Sequence, residues 1–184
     1  MPLRAKQKYN LSAEPLKVMR TLNVPFIKQE QTNWCWAACA EMVLEYYGNS
    51  SSDQCDFANW AFGGATCCTL PSSSLCDKPV KDKKITDLYD HYNLKSSYVS
   101  ADVPFGALVV EIEGSRPIEV GFTFSGNKTG HVALVVGTDV INGKQVVRVN
   151  DPAEQASGGV LYSDLTTAYG LGDWDATWTG IQKQ

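Results

Sequence analysis

The sequence lacks the features that mark several broad classes of protein. It has no run of basic residues and a formal net charge of -4, so we do not expect a nucleic-acid partner. No apolar run approaches the ~18 residues that span a bilayer, so we do not expect membrane insertion. The basic segment 1–20 has no apolar core and is not a secretory signal peptide. A removed signal, another export route and an intracellular location are the alternatives.

Histidine is also scarce, and cysteines at zinc-ligand spacing are missing. The chain has two histidines, His91 and His131, and no pair of cysteines separated by two residues. Structural zinc sites are commonly built from such pairs together with histidine. The sequence therefore predicts no metal site.

The most informative segment that is present is QEQTNWCWAACAEM, residues 29–42. Asn33 is a suitable N-cap, helix-forming residues follow from about residue 34 to residue 47, and Gly48 is a suitable stop. The pattern places Cys35 at the start of a helix, where the positive end of the helix dipole favours a thiolate. Cys35 is therefore the candidate nucleophile.

A glutamine upstream of Cys35 supplies a second element of acyl-transfer chemistry. The side-chain amide of Gln29, six positions before the cysteine, can donate a hydrogen bond to a developing oxyanion. Gln31, four positions before the cysteine, is the alternative donor.

His131 is the candidate general base. It follows Gly130 and opens the apolar run HVALVVG, which predicts a buried strand with the imidazole at its end. In that position it could take the proton of Cys35 and later protonate the leaving amine. His91 lies beside Asp90 and Tyr92 in a solvated helical pattern, so we interpret it as a surface residue.

A third residue should hydrogen-bond the other imidazole nitrogen and orient the ring. The candidates are Asp139, Asn150 and Asp151. If Asn142-Gly143 forms a two-residue hairpin turn, strand parity puts Asn150 on the face of His131. A bulge reverses that parity and favours Asp151.

The remaining cysteines indicate a disulfide-stabilised loop. Four of the six cysteines lie within a segment rich in Ser, Gly and Pro: Cys55, Cys67, Cys68 and Cys76. Two disulfides would stabilise that segment by lowering the entropy of its open states. Cys67 and Cys68 are adjacent and cannot easily bond each other, so each should pair with Cys55 or Cys76, in either combination. We expect Cys35 and Cys39 to stay reduced, Cys39 as a core residue one helical turn after Cys35.

The predicted fold class is α+β, with a helical N-terminal half and an antiparallel C-terminal sheet. Residues 1–22 are expected to be a loose lead-in and residues 23–184 one domain. After the first helix come a loop at 49–80, helices at 83–92 and 103–113 (the latter capped by Asp102), strands at 117–124, 131–137 and 145–149, a short helix at 163–169 and a strand at 178–181.

Three segments resemble the motifs of papain-like cysteine peptidases, specifically the bacterial branch that includes the C39 and AvrRpt2-type (C70) peptidases. VPFIKQEQTNWCWAAC resembles their nucleophile motif, TGHVALVVG their histidine motif, and VRVNDPA the segment with their third catalytic residue. The motifs occur in the family order. The resemblance implies a papain-like fold and a catalytic set of Cys35, His131, Asp151 and Gln29.

These observations predict a cysteine endopeptidase that uses a Cys-His-Asp triad and a thioester acyl-enzyme, without a metal or organic cofactor. The alternatives are an isopeptidase or transpeptidase on the same residues and a catalytically silent binding module. We expect a monomer with a protein or peptide substrate, and an inhibitor or immunity protein as a further partner. Disulfides would fit a secreted protein or a delivered effector, whereas reduced cysteines would fit a cytoplasmic one.

Overall fold

The structure is a computed structural model that describes residues 20–64, 66–126 and 130–184. Most of the predicted lead-in, residues 1–19, lies outside the described residues. Its last part belongs to the sheet, because Arg20–Thr21 forms a short strand, β1, that pairs with β4 (Gly130–Ile141). Gly137 permits this approach, since a Cβ there would lie 2.7 Å from the Thr21 hydroxyl oxygen.

The other elements follow along the chain in this order: α1 (Cys35–Tyr46), α2 (Gln54–Phe62), α3 (Asp82–His91), β2 (Leu94–Val99), α4 (Phe105–Glu113), β3 (Ile118–Phe124), β4, β5 (Lys144–Asn150), β6 (Gly158–Leu161), α5 (Tyr162–Thr166), a single 3-10 turn (Ala168–Gly170) and β7 (Gly172–Lys183). The helices lie mainly in the first half and the strands in the second. The predicted α+β class is confirmed.

Seven of the described strands form one antiparallel sheet, in the order β2-β7-β3-β4-β5-β6, with β1 also paired to β4. The apolar run of β4 is buried from His131 to Asp139, as expected for a central strand. His131, the second residue of β4, therefore lies near the start of a buried central strand.

Helix α1 packs between this sheet and the other N-terminal helices. It contacts β4 on one side and α2 and α3 elsewhere. Its small residues Ala37 and Ala38 are fully buried, which permits close packing. Burial on nearly all sides fixes the direction of the helix and so the position of its first residue, Cys35.

The start of α1 differs from the prediction. Trp34, not Asn33, is the N-cap, and its side chain makes no capping hydrogen bond. The side chain of Asn33 instead donates to Asp77. The predicted Asn33 cap does not form because Asp77, which is distant in sequence, binds the Asn33 side chain. The predicted stop is close to correct, since Gly48 has a φ of 82° and follows the C-cap residue, Tyr47.

The predicted loop at 49–80 contains a helix that the sequence pattern did not indicate. Helix α2 begins after Asp53, whose backbone N–H donates to the carboxylate of Asp56. It ends at Gly63, which has a φ of 70°. The Ser, Gly and Cys content of the segment favours a loop, whereas these two caps define a helix within it.

Three further differences concern the second half of the chain. Helix α4 begins at Phe105 with Pro104 as N-cap, so Asp102 does not cap it. Strands β2 and β6 were not predicted, and β7 spans twelve residues where only 178–181 were expected. Strands β2 and β6 are short, and the pairing of all three strands in the sheet, rather than their own sequence pattern, defines them.

Candidate active site

The candidate nucleophile, Cys35, is the first residue of α1 and is partly exposed. The first backbone N–H groups of a helix have no partner within it, so they create a positive potential at the sulfur. Trp34 and Trp36 on either side are buried and anchor the turn that presents the thiol. The sequence therefore folds locally in the way that the motif predicts.

A second segment, Cys76–Lys78, holds this turn from outside. Its carbonyl oxygens accept hydrogen bonds from both tryptophan rings, Trp34 Nε1 to Cys76 at 2.9 Å and Trp36 Nε1 to Lys78 at 3.2 Å. We call Cys76–Lys78 the brace. Between them, Asp77 Oδ1 accepts from the Asn33 backbone N–H at 2.8 Å and from its side-chain amide at 3.1 Å. The residues directly before and after the nucleophile are thus fixed by a segment about 40 positions away in sequence.

The brace is itself held by disulfides. The structure contains Cys67–Cys76 and Cys55–Cys68 bonds, so all four loop cysteines are paired as predicted, and the pairing left open is now assigned. Cys35 and Cys39 are free thiols. Cys39 is fully buried, and burial, followed by negative charge at Glu119, raises the pKa of its thiol. A protonated, buried thiol is not a nucleophile, so Cys39 is excluded and Cys35 remains the candidate.

His131 lies in β4 opposite Phe122 and faces the nucleophile. Its imidazole is 6% exposed, lines the same two cavities as Cys35, and has the Phe124 ring stacked beside it at 6.3 Å between centroids. Its Nε2 lies 2.7 Å from Asp151 Oδ1, which leaves Nδ1 for the thiol. One ring therefore connects the cysteine and a carboxylate.

Asp151 follows β5 and is nearly buried. Its Oδ1 also accepts from the Ala153 backbone N–H at 3.0 Å, and its Oδ2 is buried with no partner among the described residues. The register explains why this residue, not Asn150, reaches the ring. A bulge at Val136 shifts the β4–β5 pairing by one position, so that Val135 faces Val149. This is the parity reversal that the sequence analysis left open.

The two other candidates for the third residue lie elsewhere. Asn150 is fully buried on the opposite face and donates from Nδ2 to the carbonyl oxygens of Val24 and Pro25, at 3.3 and 3.2 Å. Asp139 lies near the hairpin turn, where its Oδ1 accepts from the Val140 backbone N–H. His91 stacks against the Trp60 ring at the end of α3 and makes no part of this arrangement.

The charge state of His131 depends on its neighbours. Burial lowers the pKa of the imidazole, but the hydrogen bonds to Asp151 and Cys35, with the negative charges of both, outweigh burial and raise it to about 10. The imidazolium is therefore favoured at neutral pH. An imidazolium beside a cysteine sulfur stabilises the thiolate, which is the reactive form.

Gln29 lies in the same wall of the site, with its amide turned towards the nucleophile turn. Its Nε2 donates to the backbone oxygens of Gln31 and Thr32, both at 2.8 Å, and its Oε1 is buried without a partner among the described residues. Its backbone N–H donates to Pro152 at 3.0 Å, which ties it to the segment after Asp151. Both amide hydrogens are thus hydrogen-bonded within the protein. Donation to a substrate therefore requires one of these two hydrogen bonds to break.

Two cavities meet at the cysteine–histidine pair. The larger, 840 Å³, extends over Gln29, Phe124 and Leu171, and the smaller, 280 Å³, extends over Trp36, Val80 and Tyr98. Cys35 and His131 line both. An extended chain that occupied the two cavities would therefore cross the sulfur.

The sequence did not indicate that Cys76–Lys78 contacts the residues around the nucleophile. Asp77 is marked in the sequence only by its position directly after the last loop cysteine. The hydrogen bonds of the brace join residues that are 42 to 44 positions apart. Among the described residues, the one grouping with metal-ligand spacing is Cys55, Asp56 and Cys68. Its two sulfurs are bonded to each other and are not thiolate ligands.

The architecture is shared with solved peptidases. A double glycine motif protease from an AMS/PCAT transporter, solved with its leader peptide, is 16% identical with a TM-score of 0.57, over 90% of this chain and 95% of that one. The peptidase domain of Streptococcus ComA, a bifunctional ABC transporter, is 14% identical with a TM-score of 0.60, over 88% and 100%. A digestive procathepsin L 3 of Tenebrio molitor is 12% identical with a TM-score of 0.53, over 95% and 74%.

The fold is accordingly that of the papain-like cysteine proteases. The chain belongs to the Peptidase_C39 like family, whose sequence model matches residues 21–184, and it is a papain-like cysteine peptidase. No curated protein matches the chain. None of the described helices has the length and apolar character that crossing a membrane requires.

Proposed function

We propose that the protein is an endopeptidase that cleaves peptide bonds through Cys35, His131 and Asp151. The observation that carries this proposal is the single imidazole that lies 2.7 Å from Asp151 and, together with Cys35, lines both cavities where they meet. In this arrangement Cys35 is the nucleophile, His131 the acid and base, and Asp151 the residue that orients the ring.

The reaction proceeds in two halves. The Cys35 thiolate attacks the carbonyl carbon of the scissile bond, and the His131 imidazolium gives its proton to the leaving amine as the C–N bond breaks. This leaves a thioester and a neutral imidazole. His131 then takes a proton from water as the water oxygen attacks the thioester, and the Cys35 thiolate leaves to release the carboxylic acid.

The tetrahedral intermediates need donors for their oxyanion. The backbone N–H of Cys35, at the start of α1, is one donor. Gln29 Nε2 is the second, and it turns one hydrogen from the carbonyl of Gln31 or Thr32 to the substrate. The Oε1 of Gln29 has no partner among the described residues, so this step breaks only one hydrogen bond of the side chain and the second Nε2 bond still orients the amide.

Peptides in extended form are the proposed substrates, and their cleavage takes place outside the producing cell. The double glycine motif protease was solved with a leader peptide, which supports a peptide chain as ligand in this fold. The two disulfides support an oxidising environment, as met by a secreted protein or a delivered effector.

Substitution and thiol labelling test the proposal. Cys35→Ala and His131→Ala should each lower peptide hydrolysis by at least ~10³-fold, and Asp151→Ala should lower it less. His91→Ala is the matched control and should be nearly silent. Cys35 should also be the cysteine that iodoacetamide alkylates rapidly at mildly acidic pH. Near-normal hydrolysis by Cys35→Ala would refute the assignment.

The substrate and the alternatives can be resolved with the same variants. New N-termini in a proteome treated with the wild type, but not with Cys35→Ala, would identify the cleaved sequences. New amide or isopeptide bonds instead would indicate a transpeptidase on the same residues, and loss of isopeptide bonds without new N-termini would indicate an isopeptidase. If iodoacetamide labels no cysteine rapidly and Cys35→Ala leaves peptide binding unchanged, the protein is a catalytically silent binding module.

A further inference from the structure

The smaller of the two cavities combines an apolar interior with an acidic wall. Its apolar lining includes four aliphatic side chains: Val80, Ile85, Val132 and Ala176. Asp82 and Asp175 line the same 280 Å³, and both are exposed rather than buried. Such a space suits a long side chain that is aliphatic along its length and polar at its end.

Asp175 reaches this cavity because of a bulge in the sheet. Gly121 of β3 faces Ala176 of β7, and the next residue, Phe122, faces Trp174, so Asp175 is the extra residue. A bulge redirects the side chain at that point, and such bulges are frequent beside active sites. Asp82 comes from another element, the first turn of α3. Two unrelated segments therefore present carboxylates to one cavity.

An aromatic ring completes this wall. The hydroxyl of Tyr98 donates to Asp82 Oδ2 at 2.6 Å, and its ring packs against Trp178 at 5.1 Å between centroids. The bond fixes the orientation of the carboxylate and leaves Oδ1 available. The ring offers a π face for a cation as well.

The protein's own cations do not neutralise this wall. No Lys or Arg is among the residues that line the cavity in the described part of the chain. Three of the four lysines within four positions of Asp82 direct their ammonium groups to other partners: Lys78 to the Phe62 ring, Lys83 to Asp87 and Lys84 to the Trp60 ring. The fourth, Lys81, is exposed and does not line the cavity, so the negative charge of the wall is available to a ligand.

We propose that this cavity selects a lysine or arginine side chain of the substrate, close to the scissile bond. The aliphatic stem lies against Val80, Ile85 and Ala176, and the cationic head lies between Asp82 and Asp175 beside the Tyr98 ring. The inference rests on the proposed function and adds a substrate class to it: polypeptides with a basic residue near the cleavage point.

Irreversible peptide reagents test the selection without the need for a known substrate. Dipeptidyl chloromethyl ketones alkylate a cysteine as the thiolate displaces chloride and an S–C bond forms. Lysine and norleucine share the same stem, so two reagents that differ only in this residue isolate the ammonium group. Each residue is placed at the first and then at the second position from the ketone, and the rate of Cys35 alkylation is measured by mass spectrometry.

The rate ratio of the lysine reagent to the norleucine reagent is the readout. At one position it should be about ten in the wild type, the size expected of one charge-assisted contact, and should fall with added salt. It should approach one in the Asp82→Asn/Asp175→Asn variant. Asp173→Asn is the matched control, since it removes a charge from the same strand outside the cavity lining, and it should retain the ratio.

Three results would overturn the proposal: a ratio near one at both positions in the wild type, a ratio unaffected by the double variant, or an equal loss in Asp173→Asn. Failure of the proposed function is distinguishable from these. It would appear as slow reaction of wild-type Cys35 with iodoacetamide, a reagent that needs no cavity.

Discussion

Adjacent residues at the end of β5, Asn150 and Asp151, face opposite sides of the sheet and make different contacts. Asp151 lies against His131, whereas Asn150 holds the entry segment at Val24 and Pro25 and accepts a hydrogen bond from Ser157. Asp151 therefore contacts the imidazole, whereas Asn150 stabilises the fold.

This separation predicts different effects for two substitutions. Asp151→Asn weakens the hydrogen bond and removes the charge through which Asp151 raises the pKa of His131, so it should lower turnover and move the alkaline limit of activity to lower pH. Asn150→Ala should keep the pH profile and cost about 1–3 kcal/mol of stability, because it leaves buried carbonyl groups without a donor. The pH dependence of kcat/KM and the thermal midpoint, measured on both variants, check this. An unchanged alkaline limit in Asp151→Asn would contradict it.

At the scale of elements, the brace connects the disulfide loop to the start of α1. The Cys67–Cys76 bond holds the residue whose carbonyl accepts from Trp34, while the Cys55–Cys68 bond joins the loop to α2. The thiol of the site must be reduced and these bonds oxidised at the same time. The brace and its disulfide thus support the turn around Cys35 from a segment outside α1.

The two disulfides should therefore contribute unequally to the reactivity of Cys35. The double variant Cys67→Ser/Cys76→Ser should slow alkylation of Cys35 by about tenfold, and it should cost about 2–4 kcal/mol of stability. Cys55→Ser/Cys68→Ser is the matched control, with a similar loss of stability and a smaller effect on alkylation. Equal effects on alkylation would mean that the brace does not position the nucleophile.

At the scale of the whole molecule, a buried carboxyl group joins the sheet to the helices. Glu119 of β3 is fully buried and accepts from the Tyr89 hydroxyl of α3 at 2.5 Å, while its Oε1 has no partner among the described residues. Burial raises the pKa of this carboxyl to about 8, against the opposing effect of the Tyr89 hydrogen bond. At neutral pH it is therefore mainly protonated.

This group predicts a loss of stability as pH rises. Below its ordinary pKa of 4.5, Glu119 is protonated in both states. Between 4.5 and about 8 the unfolded chain releases the proton first, so the free energy of unfolding falls, by at most about 1.4 kcal/mol per pH unit, and then levels off.

The comparison with Glu119→Gln isolates the effect, since His131 also has a raised pKa and lowers stability at higher pH in both proteins. The free energy of unfolding, measured by denaturant titration from pH 5 to 9, should fall more steeply in the wild type. Parallel curves would mean that Glu119 ionises as easily in the folded state as in the unfolded one.

Local chemistry in the sequence determined the principal elements and half of the site. The helix-forming run after Asn33, the apolar run after His131 and the Asn142-Gly143 turn each fix a backbone conformation over a few residues, and their elements are observed as predicted within a few positions. Cysteine at a helix start and histidine at a strand start are likewise local patterns. So is the density of loop cysteines, which predicted two disulfides.

Long-range contacts decided the rest. The bulge that selects Asp151 over Asn150 is at Val136, whose carbonyl accepts from Leu22 at 2.7 Å, more than 110 positions earlier in the chain. The disulfide pairing, the role of Asp77 in the brace and the meeting of Asp82 with Asp175 depend in the same way on segments that approach only in the folded chain. A sequence pattern reports the conformational preference of neighbouring residues, whereas strand register and the position of a carboxylate result from the packing of the whole core.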